Sequence, residues 1–327
     1  MRFPVLFCII ALGAISTKVH ATTEPVQQTS RFVFYSGFWL NLHHTLYAAA
    51  WARRPHTTAR PQAEAFPEAL DEGALTTKER AAWEVAIAYY DRELADRDLA
   101  FDDEMTAIRK ILTVAQAKLP DVGLPTNFHD VLVKAAPVYR RYWWRMHDHA
   151  NRTWIADVAP RLKLLAPEVV PRLTKLMLMP WFIQPVRVDV VRVGKSGGAY
   201  TVIDPDVHIT ISTGDPNGQQ WEGVETLFHE ASHALIHPIQ DRIDAEAKAT
   251  GKQTGPLWHV VLFWTVGEIV REALEHQNVS YTQYIYATGL LQRAWPQFRR
   301  PIEVEWAPYV EGKISIDQAV KRLVAAV

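Results

Sequence analysis

The stretch FHEASHALIH, Phe228 to His237, constrains this chain more than any other. His229-Glu230-Ala231-Ser232-His233 fits the pattern H-E-x-x-H, and in a helix positions i and i+4 share one face. Both imidazoles can therefore reach a single metal ion, with Glu230 beside them to take a proton from a water there. A helix that works this way needs a cleft over it and a third ligand from elsewhere in the fold. The competing reading is an ordinary amphipathic helix that happens to carry histidines, so the flanking sequence has to decide.

Upstream of the motif, PVRVDVVRVG alternates Val with Arg or Asp, the period-two pattern of a half-buried strand. Gly197-Gly198 predicts a turn, AYTVI a second strand, and Asp206 to Thr213 a third. A small antiparallel sheet is thus expected to lead into the motif helix, which starts near Trp221. Val207 to Ser212 is the candidate edge strand, with His208 and Thr210 placed to bind an extended substrate by main-chain pairing. Before residue 180 the periodicity is helical: 37–52, a helix capped by Thr76-Thr77-Lys78-Glu79 and running to about 97, then 101–118, 128–157 with an interruption at Pro137, and 160–178. After the motif, Pro256 opens a helix and Ser315 caps the last one. The fold class is α+β, predominantly helical. A helical domain is expected over 22–180 and a metal-binding catalytic domain with a helical C-terminus over 181–327.

Arg2, the apolar run Val5 to Ile15 and the small-residue site Val19-His20-Ala21 read as a signal peptide over residues 1–21, with export to the periplasm or the exterior. The only cysteine, Cys8, leaves with it, which rules out disulfides, cysteine metal ligands and a cysteine nucleophile together. No later apolar stretch reaches the length of about 20 residues that a membrane span needs. The 35 Lys and Arg are balanced by 36 Asp and Glu without a basic stripe, which argues against a nucleic-acid partner.

A catalytic zinc ion takes three protein ligands and leaves one position open. His237 continues the row of the motif but stands about 12 Å from His229 along one helix, too far for one ion. The stretch WHVVLFWTVGEIVREALEH is a helix whose row Val261, Trp264, Glu268, Glu272 sets two carboxylates on an apolar face. A buried Glu needs a partner, and a metal is a good one, so Glu268 is the expected third ligand. Glu272, one turn on, is expected to orient a ligand histidine. Asp241 and Asp244, which follow the motif closely, are the alternatives, and a Glu268–Arg271 or Glu272–His276 surface pair is the bland one.

His229-Glu230-x-x-His233 followed by a Glu on a second helix resembles the gluzincin branch of zinc metallopeptidases, which includes thermolysin and the zinc aminopeptidases. The spacing of Glu268 and Glu272 matches the ligand and the histidine-orienting acid of thermolysin-like enzymes. The likeness covers Asp206 to Glu272, with Gly267 where the thermolysin pattern has Asn, and no G-x-M-E-N motif of the aminopeptidases occurs. The resemblance implies one zinc ion, a peptide or protein substrate, and a Tyr or His after the third ligand as oxyanion donor. Tyr284 and Tyr286 are the candidates for that role. His259 lies about 180° around the helix from Glu268 at about 100° per residue, which argues against it. From the helical half, His43, His147 or Asn151 could line the cleft.

The expectation is thus an exported zinc hydrolase with Glu230 as general base. A structural zinc module and a metal-free helical binding protein are the other classes.

Overall fold

A computed structural model describes residues 24–54, 72–115, 118–120, 122–125, 127–194, 198–203 and 206–327. The leader expected over residues 1–21, with its cleavage site and Cys8, lies outside them. Among the described residues no helix is long and apolar enough to cross a membrane.

The fold is α+β and predominantly helical, with one small sheet. After the short strands β1 (Gln27–Gln28) and β2 (Phe32–Tyr35) come helices α1 (Phe38–Ala52), α2 (Thr77–Glu93), α3 (Asp103–Val114) and α4 (Phe128–Tyr139). A π-helical turn at Arg140–Trp144 joins α4 to α5 (Arg145–Met177). Strands β3 (Val186–Val191), β4 (Ala199–Ile203) and β5 (Val207–Ser212) then precede α6 (Gln220–Ser232), α7 (His237–Thr250) and α8 (Leu257–His276). Shorter helices follow, and the last is Ile316–Ala325. The expected capping boxes form at Thr76 with Glu79 and at Ser315 with Gln318.

The sheet order is β1-β2-β3-β5-β4, and it is mixed rather than antiparallel. β2 and β5 both run parallel to β3, while β1 and β4 are antiparallel to their neighbours. A parallel pair needs a crossover connection, and α1 to α5 form the one between β2 and β3. Two consequences reach the functional residues. β5 is interior, so His208 and Thr210 sit on no free edge; the edge beside α6 is β4. β3 is also covered on both faces. Val186, Val188 and Val190 pack with α5 and α6, while Asp189, predicted to face water, is fully buried and bonded to Arg187 and His208.

Two apolar cores follow from this layout. One gathers α1 to α4 around Leu40, Trp83, Ile108 and Phe128. The other joins Phe32 and Phe34 to α5, the sheet and everything after it. α5 therefore packs with the C-terminal part, through the stripe Trp154, Val158, Leu162, Leu165, Val169 and Leu173. The breaks expected at Pro137 and before residue 160 do not occur, because Pro137 sits inside α4 and Pro160, Pro167 and Pro171 sit inside α5. All three α5 prolines are exposed, on the solvent side where carbonyls left without an N–H donor can bind water.

Candidate metal centre

α6 is wedged between α5 and α8, and its buried row carries His229 and Glu230, with the partly buried His233 at its C-terminal cap. α8 begins just after Pro256 and presents His259 in its first turn. Ring centroids are 4.8 Å apart for His229–His233, 5.4 Å for His229–His259 and 5.1 Å for His233–His259. One nitrogen from each falls within 4.8 Å of the others, so the three lie close enough to bind a metal ion. Zinc–nitrogen bonds of about 2.0–2.1 Å need the donors about 3.5 Å apart, inside that 4.8 Å limit.

This geometry brings His259, and not Glu268, to the two motif histidines. The two residues lie about 180° apart on α8, so a helix that turns one toward α6 turns the other away. Glu268 instead accepts from Arg271 Nε at 3.0 Å and from Gln283 Nε2. Glu272 is bonded to Arg172 of α5, not to a ligand histidine. Asp241 and Asp244 are exposed on α7. The face of α8 that meets α6 is the row His259, Phe263, Gly267. Phe263 stacks on His229 at 3.7 Å between centroids. A Cβ at Gly267 would come within 2.8 Å of Glu225 Oε1 and 3.1 Å of Gln283 Cβ. A glycine in mid-helix marks such a close approach, and that was the available signal for the inward face. Gly267→Ala is accordingly expected to destabilise the fold by about 1–3 kcal/mol, read as a lower urea midpoint. An unchanged midpoint would show that the two helices are not in contact there.

Burial sets the protonation states. It lowers the pKa of His229 well below the usual histidine value, with His233 and His259 adding to the effect. Burial also lowers His233 to about 3 and His259 to about 4. All three are therefore neutral imidazoles near pH 7, the form that ligates metals. His229 Nδ1 and His259 Nε2 are buried with no hydrogen-bond partner among the described residues. Burial raises Glu230 to about 7. Thr201 of β4 opposes that shift, its hydroxyl lying 2.6 Å from Glu230 Oε2 and 2.9 Å from the Glu230 carbonyl. Thr201 was not foreseen, since strand-to-helix neighbours leave no local mark in the sequence.

A cleft of about 600 Å³ opens over His229, Glu230, His233 and His259, walled by Phe101, Tyr200, Ile203, Trp258 and Phe263. His237 stands in its wall but outside the cluster. Of the two tyrosines, Tyr284 comes nearer: it stacks at 6.2 Å on Phe263 and feels the charge of Glu230. Tyr286 is turned away, donating to Glu303 at 2.8 Å and accepting from Trp264. His208 is bonded to Asp189, and Thr210 is buried between strands. His43, His147 and Asn151 do not line this cleft. His43 bonds Tyr90, His147 bonds Tyr139, and Asn151 ties α5 to Ser36, Asn41 and the Val190 carbonyl. No protein-family model, curated protein or solved structure matches this chain.

Proposed function

We propose that this protein is a zinc-dependent hydrolase of peptide or amide bonds, with one zinc ion held by His229, His233 and His259 and with Glu230 as general base. The observation that carries this reading is the convergence of three neutral imidazoles beside a buried carboxyl group in an open cleft. Among the described residues no fourth His, Cys, Asp or Glu completes the group, which favours a site with an open position over a closed structural one. Bound there, zinc supplies a Lewis acid that polarises a carbonyl and makes water more acidic.

The chain's own residues supply the rest. Glu230, with its pKa raised to about 7, can accept a proton at neutral pH and return it to a leaving amine. The Thr201 hydroxyl holds that carboxyl in one orientation. The outer edge of β4, beside the cleft, offers main-chain groups to an extended peptide. Tyr284 is the nearer of the two tyrosines for an oxyanion.

The test is metal analysis of the purified protein together with a peptide-library digestion. Glu230→Gln should keep one equivalent of zinc and lose about 100-fold or more of the activity. Cleavage that survives in the variant would remove Glu230 from the chemistry, and zinc-free active protein would remove the metal.

A further inference from the structure

Around β3 and β5 the sheet buries a second set of polar side chains, none of them in the histidine cluster. Asp189 of β3 accepts from Arg187 Nε at 2.7 Å, from Arg187 Nη2 at 3.1 Å and from His208 Nε2. Arg109 of α3 reaches the same face and is 2% exposed, with Cζ 5.3 Å from the centre of the Tyr200 ring. None of its guanidinium nitrogens has a hydrogen-bond partner among the described residues. The side chain of Thr210, which pairs across strands with both Asp189 and Tyr200, is buried on the same face beside the Tyr200 hydroxyl. The Tyr200 hydroxyl meets His44 Nε2 at 3.2 Å.

The charges in this cluster do not balance. A guanidinium stays protonated in proteins, and a buried one is costly unless paired. Arg109 and Arg187 share the region with one carboxylate, Asp189, and both of its oxygens are already engaged. His43 and His44 add no counter-charge, being neutral imidazoles that burial and the Arg109 charge keep unprotonated. Among the described residues no carboxylate bonds the Arg109 guanidinium.

We propose that Arg109, with the hydroxyls of Tyr200 and Thr210, holds a compact monovalent anion, a halide or a carboxylate, between α3 and the sheet. The guanidinium supplies charge and donors, and each hydroxyl can turn one more donor toward the same point. Because Thr201 follows Tyr200 in β4, the anion anchors the strand that also holds Glu230. The assignment concerns stability and stands whether or not the protein is a hydrolase.

The experiment is thermal unfolding of the full chain, as purified, in sodium chloride, sodium acetate and sodium sulfate at matched sodium concentration. A saturable rise of about 5 °C is expected in chloride or acetate at about 100 times the dissociation constant, and in sulfate only the steady, unsaturating rise of a kosmotrope. Response to chloride alone assigns a halide, and response to acetate as well assigns a carboxylate. Arg109→Met should lose the response and, in anion-poor buffer, melt no lower than the native protein, since it removes an unpaired buried charge. Thr210→Val should weaken the response without abolishing it. Identical slopes in all three salts for the native protein, or an unchanged response in Arg109→Met, would overturn the proposal.

Discussion

His259→Ala is expected to lower zinc affinity by about 1,000-fold, while Glu268→Ala leaves it within about a factor of three. Structural zinc sites bind with about 10–16 kcal/mol spread over four ligands, so one ligand is worth roughly 2.5–4 kcal/mol, or about two to three decades. His259 is also the one member of the three on α8, so its loss removes any metal-borne tie between α8 and α6 and with it the zinc-dependent part of the thermal midpoint. Glu268→Ala breaks bonds to Arg271 and Gln283 and costs some stability, but equally with and without zinc. Competitive titration against a chelator of known affinity, with melting curves in zinc and in chelator, separates the two variants. Zinc loss in Glu268→Ala with retention in His259→Ala would place the ion elsewhere.

The parts of the site that share one helix were legible in the sequence, and the parts that depend on how two elements face each other were not. His229, Glu230 and His233 follow from spacing alone. So do the strands after residue 185 and the two capping boxes, because each is a local pattern. α8 is different: it is buried on most of its circumference, so its periodicity does not say which side meets α6. Glu268 and Glu272 looked like carboxylates in need of a metal, yet Arg271, Gln283 and Arg172 came to meet them, two of these from other elements. The parallel pairing was hidden for a related reason. β2 is four residues long and pairs with a strand about 150 residues later, so no local feature announced it. The Arg and Asp of the β3 repeat suggested a wet face, but α1 and α3 lie over it, and those charges pair with each other instead.

Freed of metal, the protein is expected to lose stability steeply as pH falls below about 6.5. Burial holds six histidines below their usual pKa: His43, His44 and His147 around α1 and α5, and His229, His233 and His259 in the cluster. Each stays neutral in the folded chain and is protonated in the unfolded one, so the unfolded state takes up more protons in this range. Stability therefore falls with pH, starting at the unfolded pKa near 6.5 and continuing toward the folded values, about 3 for His44 and about 4 for His147. From pH 6.5 to 5.5 each group costs about 1 kcal/mol, or about 6 kcal/mol for the set. Glu225 and Glu230 act in the opposite sense. Burial raises both to about 7, so they gain stability on acidification, by about 1 kcal/mol each over the same interval. The net loss of about 4 kcal/mol is a large part of a total stability of about 5–15 kcal/mol. Urea titrations of chelator-treated protein at pH 7.5, 6.5 and 5.5 measure it. His147→Gln, which removes one of the six outside the cluster, should reduce the pH dependence by about 1 kcal/mol. Saturating zinc should blunt it, since a bound ion keeps protons off three of the others. A urea midpoint that stays level between pH 6.5 and 5.5 would show that the fold does not hold these six histidines neutral over this range to the extent expected.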